Sequence, residues 1–189
     1  MKTPTVLRFL VVSLIASGTA APGTIAQQAM RFSPAALAKN GDTVAYKSYR
    51  IIRLGDGIYQ IKDPGDPKAR AGGLIGVDMY LVRGASKALL IDLGNNYVDG
   101  YPGDAIPPRP QAAEELRAVV DGLRGRLPFE VAITHAHPDH DGMTRAFIDR
   151  KVTIWMPKGE DLEAPGKQHG HIDPSVYTVF DHATKTFDL

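Results

Sequence analysis

The sequence predicts a mixed α/β fold, in which a strand-rich first part leads into a strand–helix–strand part. Four short segments with β-type composition lie at residues 49–54, 57–61, 78–83 and 87–93. They are followed by residues 113–123, where apolar side chains recur at the i, i+3, i+4, i+7 spacing of an amphipathic helix. Strands that come first and then alternate with helices are typical of a sheet covered by helices.

The later part of the chain continues the alternation. We expect a second helix to begin near Asp141, whose side chain can cap a helix start. We also expect Trp155, within an apolar segment, to lie in the core. The remaining β-type segments lie at residues 129–134, 152–156, 177–180 and 186–189.

The N-terminus has the composition of a secretory signal peptide. Lys2 and Arg8 precede an apolar run at 9–16, and small residues then lead to Ala26. The run is shorter than the roughly 20 residues that span a bilayer, so no stable membrane anchor is expected. We therefore divide the chain into a signal peptide at 1–26, a flexible mature N-terminus at 27–48 and one domain at 49–189. The expected location is periplasmic or secreted.

Charge and cysteine content exclude several classes of partner and ligand. The formal net charge is +1, and removal of Lys2 and Arg8 would change it to −1. A nearly neutral protein is not expected to bind nucleic acid, so a small-molecule substrate is favoured. The chain has no cysteine, which excludes disulfides and thiolate metal ligands. The sequence leaves the oligomeric state open.

The most informative segment follows the apolar residues 129–134 directly. His135, His137, Asp139 and His140 lie within six residues. His135 and His137 are two apart, so in an extended segment their side chains point to the same side. Imidazole and carboxylate groups without sulfur fit zinc, and they also fit iron or manganese. The sequence therefore predicts a site for one or two metal ions.

This segment resembles the metal motif of the metallo-β-lactamase superfamily, and residues 88–94, which contain Asp92, resemble the strand of that family that ends in an aspartate. The resemblance implies an αββα sandwich, of which the first half is present here. It implies that His135 and His137 bind one metal ion and that Asp139 and His140 bind a second, with Asp139 also serving in catalysis. Asp92 would orient the metal-binding segment through hydrogen bonds. The implied activity is zinc-dependent hydrolysis of an ester, lactone, amide or related bond by metal-activated hydroxide.

The family pattern also has a third histidine, a bridging aspartate and a final histidine further along. His169, His171 and His182 do not stand in matching surroundings, so we expect the chain to be incomplete at its C-terminus. Two alternatives stay open. One is a mononuclear iron enzyme that resembles the sulfur dioxygenases of the same fold, and the other is a noncatalytic metal-binding fragment.

Overall fold

A single mixed β-sheet forms the framework of the protein. The structure is a computed structural model that describes residues 31–63, 77–95, 109–137, 139–148, 151–158, 174–181 and 185–189. These ranges contain eight strands in one sheet, and the strands lie side by side in chain order. The strands are β1 (Thr43–Tyr46), β2 (Tyr49–Gly55), β3 (Ile58–Lys62), β4 (Asp78–Arg83), β5 (Ala88–Ile91), β6 (Phe129–Ala132), β7 (Ile154–Pro157) and β8 (Tyr177–Phe180).

The first five strands form an antiparallel meander. Neighbouring strands from β1 to β5 all pair antiparallel, with register pairs such as Ile51↔Ile61 and Leu81↔Leu90. The β2–β3 turn contains Gly57 at φ +70°, where a Cβ atom would lie 2.6 Å from the Arg83 carbonyl oxygen. Only glycine fits such a turn without strain, and this explains the close pairing of β3 with β4.

The last four strands are parallel, so their carboxyl ends lie at one edge of the sheet. β5 pairs with β6, β6 with β7 and β7 with β8, all in parallel. Parallel strands need a crossover connection, commonly a helix. The crossover between β5 and β6 contains α1 (Pro110–Arg124), which ends before Gly125. This arrangement confirms the predicted α/β fold class.

The core lies between one face of the sheet and α1. The helix buries an apolar stripe that includes Leu116, Val119 and Leu123, and it contacts β4. Fully burying a side chain of this size contributes about 1.5–3 kcal/mol. None of the helices in the described ranges is long and apolar enough to cross a membrane. The core side chains supplied by the sheet are Ile51, Ile61, Met79, Leu81, Leu90, Val131, Ile154 and Met156.

The described part of the predicted N-terminal segment, residues 31–48, packs against the sheet. Residues 27–48 were expected to be loosely held, but β1 (Thr43–Tyr46) pairs with β2. Phe32 and Leu37 are buried in the core, and the Phe32 ring packs edge-on against Tyr46 at a centroid distance of 5.3 Å. Burial of these side chains keeps the segment against the sheet, although its apolar residues follow no clear helical or strand spacing. The signal peptide predicted at 1–26 lies outside the described residues.

Two local predictions in the second part of the chain are wrong. Instead of a helix beginning near Asp141, the described residues contain a short 3-10 turn at Thr144–Ala146. Asp141 is buried, and its side chain accepts a hydrogen bond from Tyr177 rather than capping a helix. Residues 186–189 are described and are not a strand. The Phe187 ring packs against Trp155 at a centroid distance of 6.2 Å.

Trp155 was expected in the core but is only partly buried. Its indole Nε1 donates to Glu130 Oε2 at 2.8 Å. The Lys185 ammonium lies 3.7 Å from the ring centroid, a cation–π arrangement. The ring therefore covers the sheet face opposite α1, where its polar nitrogen has a partner.

Candidate metal centre

The predicted metal ligands lie in a loop at the carboxyl end of β6, residues 133–142, here called the histidine loop. Residue 138 is outside the described residues. The Leu93 amide donates to the His140 carbonyl oxygen at 2.6 Å, and the Gly142 amide donates to the Gly94 carbonyl oxygen at 3.1 Å. These bonds tie the histidine loop to the end of β5. Ligand sites in α/β sheets commonly lie beyond the carboxyl ends of parallel strands.

The structure brings the three histidines of the loop together. The ring centroids of His135 and His137 are 4.5 Å apart, and those of His135 and His140 are 3.9 Å apart. His137 is exposed, whereas His135 and His140 are partly buried.

Asp92 lies beneath the loop and binds it through three donors. Its carboxylate accepts from the Thr134 amide at 2.8 Å, from the Thr134 hydroxyl at 3.0 Å and from His140 Nδ1 at 2.9 Å. The Asp92 side chain is 6% exposed and that of His140 is 20% exposed. This is the arrangement in which a carboxylate orients a metal-binding histidine. The role in metal binding that the resemblance implied for Asp92 stays a prediction.

The backbone at Asp92 has φ +60°, a conformation that aspartate and asparagine adopt more readily than most residues. Gly94 also has positive φ, and a Cβ atom there would lie 3.2 Å from Met143 Cε and 3.3 Å from Met79 Cε. A glycine at this position therefore lets the end of β5 approach the side chains beneath the histidine loop.

Asp139 and His140 have the spacing of two ligands of one ion. His140 Nε2 lies 3.6 Å from Asp139 Oδ2. Two ligand atoms bound at 2.0–2.1 Å to one tetrahedral zinc are separated by roughly 3.4 Å, so this pair fits. The described residues contain no group of three or more His, Cys, Asp or Glu side chains that could hold an ion. A complete site would need ligands beyond these ranges.

A buried polar group supports the loop from below. The Tyr177 hydroxyl donates to Asp141 Oδ2 at 3.2 Å and lies 3.3 Å from the Thr144 hydroxyl. The Thr144 hydroxyl donates to the Asp141 carbonyl oxygen at 2.7 Å. Burial, and secondarily the Asp141 carboxylate, raises the pKa of the Tyr177 hydroxyl far above its ordinary value. The phenol stays protonated and connects β8 to the histidine loop.

Sequence reasoning missed Thr134, which contacts Asp92, His135 and His140 at once. The only feature of the sequence that could have indicated this role is the position of Thr134 between an apolar strand and the first histidine. Other predictions lie outside the described residues. These concern the side chains of His169, His171 and His182.

Comparison with known proteins gives a likeness of fold. No protein-family model matches the chain, and no curated protein matches it. A metallo-β-lactamase from Erythrobacter litoralis, with β-mercaptoethanol in its active site, matches with a TM-score of 0.50 and 17% identity. The match covers 70% of this chain and 52% of that structure. This chain therefore spans about half the length of the structure that it matches.

Two further solved structures are similar over a shorter part. A metallo-β-lactamase from Hirschia baltica has 20% identity and a TM-score of 0.41, covering 58% of this chain and 43% of its own. The DIM-1 metallo-β-lactamase exposed to ceftazidime has 12% identity and a TM-score of 0.42, covering 59% and 43%. Their TM-scores are below 0.5, so the first likeness alone bears on the fold. Over the part that is matched, this chain has the metallo-β-lactamase fold.

Proposed function

We propose that the protein is a zinc-dependent hydrolase of the metallo-β-lactamase superfamily that acts on an ester, lactone, amide or related bond of a small molecule. The observation that carries this proposal is the histidine loop, where the ring centroid of His135 lies 4.5 Å from that of His137 and 3.9 Å from that of His140. Nitrogen and oxygen donors without sulfur are a ligand set that suits zinc. The proposal concerns the whole protein, of which this chain is similar to about half.

Two pairs of side chains would hold metal. His135 and His137 would contribute to one ion, and Asp139 and His140 to a second. When bound, zinc would lower the pKa of a coordinated water toward neutrality and polarise the oxygen of the bond to be cleaved. The remaining ligands would come from outside the described residues.

Side chains in and beneath the histidine loop would orient the attacking water and the metal ligands. The Asp139 side chain is 31% exposed, so a substrate or water can reach its carboxylate. That carboxylate would accept a hydrogen bond from the attacking water and orient it, or hold the second ion. Asp92 would keep the His140 ring in one orientation through the bond at 2.9 Å.

We also propose that the protein is exported to the periplasm or secreted, since residues 1–26 have the composition of a signal peptide. An exported hydrolase of near-zero net charge suits a small-molecule substrate better than nucleic acid.

The test is zinc binding by the chain and its His137→Ala variant, measured by equilibrium dialysis and elemental analysis. We expect the variant to lose zinc, because a ligand atom at the centre of the loop is removed. His182→Ala is the matched control and should bind zinc like the original chain. Undiminished zinc in His137→Ala would overturn the assignment of the site. Hydrolysis is then assayed on chromogenic esters, lactones and amides with added zinc, and zinc binding without hydrolysis would overturn the activity.

A further inference from the structure

The Thr134 hydroxyl occupies the centre of the hydrogen-bond network under the histidine loop. Its Oγ1 lies 3.0 Å from both carboxylate oxygens of Asp92. The same atom lies 3.1 Å from His135 Nδ1 and 3.3 Å from His140 Nδ1. One hydroxyl therefore contacts a carboxylate and two imidazole rings.

Counting hydrogens determines the direction of these bonds. A carboxylate can only accept, and a hydroxyl has one hydrogen to donate and two lone pairs. The Thr134 hydrogen must point to Asp92, because otherwise two oxygens would face each other at 3.0 Å without a hydrogen between them. Thr134 Oγ1 can then only accept from His135, so a hydrogen bond at this contact of 3.1 Å requires that the ring carries its hydrogen on Nδ1.

The same count applies to His140. Its Nδ1 lies 2.9 Å from Asp92 Oδ2, and an acceptor-only carboxylate requires that this nitrogen carries the hydrogen. A neutral imidazole with its hydrogen on Nδ1 has its lone pair on Nε2. Both rings would thus present Nε2 as the atom available to a metal ion, and the Nε2 atom of His140 is the one beside Asp139.

We propose that Thr134 is a positioning residue that selects the Nδ1–H tautomer of His135, with Asp92 orienting the hydroxyl. This inference rests on the proposed metal-dependent function for its purpose, but the tautomer itself is a property of the metal-free chain. Thr134 does not need to touch substrate or metal. It acts through His135, by making one ring nitrogen a donor and leaving the other as a ligand.

The experiment measures histidine tautomers in the metal-free 189-residue chain by long-range ¹H–¹⁵N NMR at pH 8. The His135 signals are identified by their loss in His135→Gln. We expect the Nδ1–H form in the original chain and in Thr134→Ser, which keeps the hydroxyl. Thr134→Val, which has the same shape without it, should shift His135 toward the Nε2–H form. Thr178→Val is the matched control, because Thr178 is exposed on β8, and it should change nothing.

Zinc affinity provides the second readout, measured by competition with a chromophoric chelator. Loss of such a supporting group typically weakens metal binding about 10–100-fold, and we expect this for Thr134→Val but not for Thr134→Ser. A His135 ring in the Nε2–H form in the original chain, or a tautomer unchanged in Thr134→Val, would overturn the inference. The first result does not depend on the folding of Thr134→Val and needs only His135→Gln for the identification of the signals. Failure of the original chain to bind zinc would overturn the proposed function while the tautomer result stands.

Discussion

Replacing Asp92 by asparagine removes one acceptor while keeping the shape of the side chain. Asparagine tolerates the positive φ of +60° at this position as aspartate does, so the backbone is not strained by the change. The amide oxygen of the variant can still accept from the Thr134 amide and hydroxyl. The amide nitrogen would then face His140 Nδ1, and the bond to a charged carboxylate is lost even if that ring moves its hydrogen to Nε2.

The expected cost follows from the one bond that is lost. Hydrogen bonds to a charged group contribute about 1.5–3 kcal/mol. The Asp92 and His140 side chains are 6% and 20% exposed, so solvent screens their bond only weakly. We expect a decrease of about 2 kcal/mol in the free energy of unfolding, which corresponds to about 4–8 °C in Tm for a chain of this length.

Urea unfolding followed by circular dichroism measures the change. Asp56→Asn is the matched control, because Asp56 is fully exposed and its ion pair with Arg53 is at the surface, where such pairs are worth about 0–1 kcal/mol. Zinc affinity of Asp92→Asn should also fall, about 10–100-fold. An unfolding free energy equal to that of Asp56→Asn, with zinc affinity unchanged, would refute the role assigned to Asp92.

Two further variants test the support of the histidine loop. Gly94→Ala should lower the unfolding free energy by about 1–3 kcal/mol, because alanine at φ +69° is strained and its Cβ atom would crowd Met143 and Met79. A decrease below about 0.5 kcal/mol in urea unfolding would contradict this explanation. Tyr177→Phe should cost about 1–3 kcal/mol at pH 7 through the lost bond to Asp141. The raised pKa of Tyr177 also means that the unfolded chain releases the phenolic proton first as pH rises above about 10. The original chain should therefore lose stability there faster than Tyr177→Phe, and parallel stability curves from pH 8 to 11 would contradict this explanation.

Local patterns in the sequence predicted much of the secondary structure. The strands predicted at 78–83 and 177–180 are found with those bounds as β4 and β8, and the helix predicted at 113–123 lies within α1. Alternation and helical spacing report the period of the backbone and the side that is buried. β1 was not predicted; none of its side chains is fully buried, and it is held by pairing with β2.

Asp141 shows where local reasoning fails. An aspartate that follows the histidines is a typical helix-capping residue. Asp141 is instead buried and contacts Tyr177, 36 residues later in the chain. A buried carboxylate requires a partner, and only the parallel pairing of β7 with β8 brings that tyrosine close.

The sequence by itself determined the chemical types and spacing of the candidate ligands, because His135, His137, Asp139 and His140 lie within six residues. Tertiary structure alone decided which groups orient them. Asp92 is 48 residues from His140 and 42 from Thr134, and these side chains meet because β5 and β6 are parallel neighbours whose carboxyl ends lie at one edge. The direction of the hydrogen bonds depends on the contact of Asp92 with Thr134 and His140, so the tautomer of each imidazole could not be predicted from residue spacing.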